Sequence, residues 1–286
     1  MRSTKTMKYI FLSLMFAFTL AFDIGKVSAE TITNYYGIEM TEAEYSTLEE
    51  LGFTTNEIYY MNQETFEENR YLDATLLGST TKYYKTVYPT YGNSYTVEVT
   101  EEEYNSHANN HEPELRTTVV TNYKTMVSTI SQNGSKYRFH VSVLWTNMPS
   151  TRSYDIIAIG YNNSGIYISS SVYFNYVYAR SDGSYTTSTL YYNKKSLSTG
   201  GSAAYKVPDG DLSALSANLY YDVSKNTSTT LTSLQSCGDY SHAITNIDVS
   251  NIANYNVGIN GIALSTGLYG NYDAIPCALT TIGVSW

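Results

Sequence analysis

From residue 118 onward, hydrophobic and polar positions alternate with a period of two, which is the signature of half-buried β-strands. Runs at 118–132 and 135–145 flank Asn133-Gly134, the strongest short hairpin signal because both residues tolerate positive φ. In the second run Tyr137, Phe139, Val141, Val143 and Trp145 share one face, and Lys136, Arg138, His140 and Ser142 share the other. With Asn133-Gly134 as the turn, Ile130 opposes Tyr137 and Met126 opposes Val141, so the apolar faces agree. Residues 154–160 are apolar on both faces beyond Asp155, as in a central, covered strand. Further strands are expected at 166–176, at 185–192 after an Asp182-Gly183 turn, at 215–223 and at 244–249.

Upstream the period changes. Thr41 and Glu44 form a capping box, Tyr45, Leu48 and Leu51 follow at helical spacing, and Gly52 ends the run. Short helices are also expected over 55–61 and from Asn62, with Phe66 as anchor. Residues 83–91 and 94–100 read as two strands around Gly92-Asn93, and the polar stretch 101–114 as a loop or short frayed helix. The pattern predicts a mainly β fold, an antiparallel β-sandwich over 81–286 preceded by an acidic helical segment over 30–80.

The first 29 residues stand apart. Arg2, Lys5 and Lys8 precede an apolar run over 9–22 and then Val27-Ser28-Ala29. This order is that of a secretory signal peptide, with cleavage expected between Ala29 and Glu30. The apolar run is short for a bilayer span, which needs about 20 residues, and no other stretch approaches that length. No lipid-attachment cysteine follows it, and residues 281–286 are not an apolar tail with basic residues behind it, so release to the exterior is expected. In that setting Cys237 and Cys277 are expected to form a disulfide.

Charge divides the chain. Residues 30–115 hold 17 acidic and 3 basic side chains, and residues 116–286 hold 8 and 10, with no glutamate after Glu114. Two explanations fit: a region released near Arg116, or a permanent acidic cap, which is preferred because 82–100 already reads as sheet. From residue 30 the chain carries a net charge of −12 and has no basic patch, which disfavours nucleic acid as a partner. Tyrosine is abundant, 31 against 8 Phe and 2 Trp, and fits exposed sheet or a contact surface.

Candidate chemistry is sparse. His107 and His111 are four apart, but Ala108 stands where a zinc protease helix needs glutamate; Glu103 and Glu112 lie nearby, and a solvated loop is the better reading. Cys237, Asp239 and His242 are close in sequence, yet a second cysteine favours the disulfide over a nucleophile. Asp209-Gly210-Asp211 supplies too few oxygens for a calcium loop and follows Pro208 as a turn would. A carboxylate pair for glycoside hydrolysis would have to come from acids such as Asp155, Asp222 or Asp248. Asp155 is the first to test, with a structural pairing to Arg152 as the alternative. No nucleophile elbow, phosphate loop or dinucleotide fingerprint occurs, and no catalytic residue, metal or cofactor is assigned.

The run 41–61, with Leu51-Gly52-Phe53-Thr54, Glu57-Ile58 and Met61, and the later Arg152-Ser153-Tyr154-Asp155-Ile156-Ile157, resembles exported bacterial proteins of unassigned function. The resemblance spans most of the chain beyond residue 29. It implies bacterial export and assigns no activity and no site residue. The expected role is non-enzymatic contact with cell-wall glycan, another surface polymer, a host surface or further copies of the chain. The alternatives are a hydrolase acting on an extracellular polymer and a pore-forming or self-assembling β protein, although Lys124 on the apolar hairpin face would resist lipid.

Overall fold

The structure is a computed structural model that describes residues 31–286 apart from 89–93, 109–119, 147, 150, 163–164, 227, 229, 269 and 274, and without the side chains of 107, 108, 120 and 121. Residues Thr31–Trp286 form one unit. The chain begins with β1 (Thr31–Thr33) and β2 (Glu39–Thr41), then α1 (Glu42–Glu50), α2 (Thr55–Tyr59) and α3 (Gln63–Asn69). Next come β3 (Ala74–Tyr88), β4 (Tyr95–Val99), α4 (Glu101–Ala108), β5 (Val120–Asn133), β6 (Lys136–Trp145), β7 (Tyr154–Tyr161) and β8 (Ile166–Ile168). The remainder is β9 (Tyr173–Arg180), β10 (Tyr185–Ser188), β11 (Asn193–Leu197), β12 (Gly200–Lys206), β13 (Leu212–Lys225), β14 (Ser233–Ser241), β15 (Tyr255–Gly258), β16 (Gly261–Leu264) and β17 (Ala278–Gly283).

The strands build an antiparallel sandwich. One sheet has the order β10-β9-β13-β6-β5-β3-β4, with β8 also on β13; the other has the order β11-β12-β7-β14-β17. Between them lies a core that includes Phe139, Val141, Trp145, Ile157, Ile159, Tyr205, Leu219 and Tyr221. Alternation explains this set, since the inward residues of β6 and β7 are two apart. A strand from 154 is central and buried on both faces: Ile157 and Ile159 face the core, while Ile156 and Ala158 pack beneath a second cluster with Ile247, Tyr255 and Leu268. Tyrosine belongs to this interior as well as to the surface, with Tyr84, Tyr161, Tyr205, Tyr221 and Tyr240 fully buried. The Tyr221 hydroxyl donates to the Ile159 carbonyl at 2.9 Å, and the Tyr205 and Tyr240 hydroxyls are hydrogen-bonded at 3.0 Å.

The first three helices start where their caps place them. Thr41 and Glu44 close the capping box of α1; Thr54 and Glu57 close a second at α2, and Asn62 caps α3 through the Thr65 amide. Such short helices need docking to persist. They bury Leu48, Leu51, Ile58 and Phe66 against Tyr220 on the outer face of the large sheet. Gly52 ends α1 with φ of +93°, and a side chain there would collide with Thr129 of β5. The polar face of β6 is therefore covered. His140 is buried beneath α2, its Nδ1 donating to the Gly52 carbonyl at 3.1 Å and its Nε2 lying 2.9 Å from Glu57 Oε1.

Several expectations change: the expected run over 166–176 is divided between β8 and β9, the expected strand over 185–192 ends at Ser188, and three further differences follow. The hairpin turn is Gly134-Ser135, since Asn133 pairs with Lys136, and Ile130 and Met126 oppose Phe139 and Val143. Gly134 carries the positive φ of +58°; because partners move by two, the same faces still meet. Residues 244–249 are not a strand, for the chain leaves the sheet after Ser241, where side-chain carboxylates take the amides of His242 and Ala243. The strand at that position in the sheet is β14. Finally, β3 begins at Ala74 and runs across the expected boundary at residue 80, pairing with β5 over most of its length. The acidic first half thus contributes a strand between β5 and β4, and separating it near Arg116 would tear the large sheet.

Candidate functional site

At the end of β6 distant from the hairpin turn, charged side chains meet inside the sandwich. Asp155, at the start of β7, is fully buried and accepts from His242 Nδ1 at 2.9 and 3.0 Å, from the Ala243 amide at 3.0 Å and from the Tyr240 hydroxyl. These contacts place a proton on His242 Nδ1. His242 Nε2 finds no hydrogen-bond partner among the described residues. Tyr240 continues the chain of contacts to Tyr205 at 3.0 Å and Trp145 at 3.2 Å. Beside it Lys124 pairs with Asp273, both buried, and its ammonium lies 4.5 Å from the Trp145 ring centre. Asp273 also accepts the His242 amide at 2.6 Å and the Thr96 hydroxyl at 3.2 Å.

Asp239 is the third carboxylate of this group. Burial pushes its pKa up to about 7, against the pull of amide hydrogen bonds from Ile262 at 2.6 Å and Tyr240 at 2.7 Å; Asp273 raises it further and Lys124 lowers it. Two suspects named separately by the sequence, Asp155 and His242, are thus in contact. Arg152, the expected partner of Asp155, acts on it through space; burial lowers the Arg152 pKa and Asp155 opposes that shift. Cys237 is no free thiol beside His242: it stands at bonding distance from Cys277, with Cα atoms 5.7 Å apart. The group is sealed from solvent, and its geometry ties the segment that follows β14 to the sheet end.

The second polar group borders water. A cleft of about 590 Å³ opens between α3 and the outer face of the large sheet. On its floor Arg138 of β6 donates through Nε to Asp222 of β13 at 2.8 Å and through Nη1 to Asn69, while Asn133 donates to the same Asp222 at 3.3 Å. The Arg138 guanidinium lies 4.5 Å from the Tyr220 ring centre. Tyr220 stacks on Tyr173 at 4.5 Å with 20° between planes. Burial raises the pKa of both phenols; the Tyr220 hydroxyl accepts from Asn69 at 3.3 Å and the Tyr173 hydroxyl from Asn175 at 3.4 Å. The rim carries Glu64 and Glu68, one turn apart on α3, and across from them Tyr191, whose ring lies 4.8 Å from the Lys194 ammonium.

The other sequence candidates fall elsewhere. Glu103 on α4 lies 3.3 Å from Lys85; the side chain of His107, and His111 and Glu112, lie outside the described residues, as do Ala29 and Glu30. Asp209 pairs with Lys206 at 3.3 Å in the turn before β13, and Gly210 there has φ of +105°. Asp248 accepts the Ser250 amide at 2.8 Å and hydroxyl at 2.7 Å, which lowers its pKa and caps a single turn. Among the described residues no three His, Cys, Asp or Glu side chains are grouped to hold a metal, and no helix is long and apolar enough to cross a membrane. Lys124, Asp273 and Asn69 were missed by sequence reasoning, although Lys124 stood out as a charge on an apolar face.

No family model matches the chain. No curated protein matches it either. Among solved structures a chain titled BspA_C_WT aligns with 56% of this chain and 80% of its own length, at 7% identity and a TM-score of 0.26, and at that score the likeness carries no argument.

Proposed function

We propose that the protein is exported and binds a glycan in the cleft between α3 and the large sheet. The observation that carries this reading is the cleft floor, where Arg138, Asp222 and Asn69 fix one another beside the half-buried ring of Tyr173, which Tyr220 backs. Sugars present hydroxyls and apolar C–H patches side by side, so a site for them needs held donors and acceptors next to aromatic faces. Tyr191 adds a ring that is 48% exposed at the rim. Export is supported by the signal-like residues 1–29 and by the spacing of Cys237 and Cys277, since such pairs persist in oxidising compartments.

Binding is tested by glycan array and by calorimetric titration with cello- and chito-oligosaccharides. Saturable binding that Tyr191→Ala weakens roughly tenfold is the expected result; background signal across all glycan classes overturns the reading. Mass spectrometry of protein recovered from the medium checks export: a chain beginning at Glu30 is expected, and an intact leader or a cell-retained product overturns it.

A further inference from the structure

The aromatic surface continues beyond the cleft. From Thr189 at its rim, β10 leads back along the edge of the large sheet to Tyr185. There five tyrosines gather on the same outer face: Tyr35 and Tyr36 between β1 and β2, Tyr59 and Tyr60 at the end of α2, and Tyr185 itself. The register fixes the face, since Tyr185 and Thr187 oppose Ala179 and Val177, which alternate with the core residues Tyr176 and Phe174. Tyr60 stacks on Tyr185 at 4.2 Å with 22° between planes. Tyr35 meets Tyr185 at 5.0 Å and Tyr36 at 5.2 Å.

The cluster is tied to the strand, because the Tyr36 and Thr187 hydroxyls are hydrogen-bonded at 2.7 Å. It is still open to solvent: Tyr35, Tyr36 and Tyr59 are 39%, 42% and 38% exposed. The helical wall is continuous as well, since Tyr59 and Tyr60 lead directly into α3, which carries Glu64 and Glu68. Tyr185 and Tyr191 are six residues apart, a span of at most ~20 Å in extended chain. That upper bound admits an oligosaccharide lying along the strand.

We infer that the cleft and the tyrosine patch are two ends of one elongated site, and that its ligand is a chain of uncharged sugar units. The inference rests on the reading of the cleft as a glycan site. Phenol rings stack on sugar faces without selecting charge. Polyanionic glycans are disfavoured by the net charge of −12 from residue 30 onward and by Glu64 and Glu68 at the rim.

The test is titration of the full chain with N-acetylated chito-oligosaccharides from dimer to hexamer, with the cello series in parallel. Affinity is expected to rise with length. Tyr36→Ala and Tyr59→Ala should each lower hexamer affinity roughly three- to tenfold and leave the dimer unchanged, whereas Tyr191→Ala lowers both. Tyr36→Phe keeps the ring while losing the Thr187 bond, and should retain hexamer affinity; its retention separates stacking from local unfolding. Equal binding of dimer and hexamer, or a hexamer indifferent to the patch variants, overturns the elongated site and leaves the cleft reading intact. Failure of every oligomer to bind, together with background signal across the glycan array, overturns both. Sedimentation showing a dimer that Tyr36→Ala dissolves would assign the patch to a second copy of this chain and overturn the glycan assignment of the patch.

Discussion

Two charged groups lie near the two ends of strand β6, under opposite conditions. Near its start, Arg138 and Asp222 line an open cleft with Glu64, Glu68 and Lys194. Opposite its last residue, Trp145, Lys124 faces Asp273 inside the sandwich, among Asp155, Asp239 and His242. The buried group holds its charges by pairing them and by spending its remaining oxygens on backbone amides of the segment after β14. Its contribution is to the path of the chain. The open group keeps its paired floor but leaves rim side chains facing water, so it can exchange solvent for ligand at little structural cost. Charge alone does not mark a site; access to water separates the two cases.

The sharpest way to break this comparison is to remove one member of the sealed pair. Lys124→Met leaves Asp273 buried without its cation, and should cost about 5 kcal/mol in urea unfolding, the upper end for a broken buried pair. A loss below 1 kcal/mol would show that water reaches the group. Replacing Cys237 and Cys277 together by Ser should cost about 4 kcal/mol in the chain-entropy account of a 40-residue separation, measured by the shift in denaturation midpoint.

Asp239 sharpens the contrast through pH. Its folded pKa is about 7 against an ordinary 3.8. Between those values the unfolded chain has released the proton and the folded chain retains it. This carboxylate therefore makes stability fall as pH rises from about 4 to 7, with a slope of about 1.4 kcal/mol per pH unit, and level off above. Asp239→Asn should remove that slope, and should also lower stability at acid pH because its amide nitrogen faces a backbone N–H that needs an acceptor. The smallest effects belong to the cleft rim. Glu64→Gln and Lys194→Ala should shift stability by less than about 0.5 kcal/mol, while changing oligosaccharide affinity measurably by calorimetry.

Local signals carried much of the architecture. The Thr41–Glu44 box placed α1, and alternation over 137–145 identified which side chains of β6 share a face. Alternation did not reveal that the polar face would be roofed by helices, since that depends on Leu48, Leu51 and Phe66 docking from far upstream. β14 was invisible because Ser, Gln, Cys, Gly and Asp give it no apolar period; it is central because small residues let the sheets approach, and a side chain at Gly238 would meet Val141. Of the buried group, Asp155, Asp239 and His242 were individually suspect, but the separation of 87 positions between Asp155 and His242 hid their contact. The cleft was the least legible feature, since α3, β6 and β13 each supply a fragment that means little in isolation.

The bridge between Cys237 and Cys277 encloses the hairpin of β15 and β16 together with Asp239, His242 and Asp273. A chain cut once inside that ring remains a single covalent molecule. A nick at the tip between Gly258 and Gly261 would release no fragment, and the end that begins near Ile262 would stay beside Asp239, which holds the Ile262 amide. Damage of this kind is visible by electrophoresis as one band before reduction and two after it, so the ring converts a cleavage into a scar.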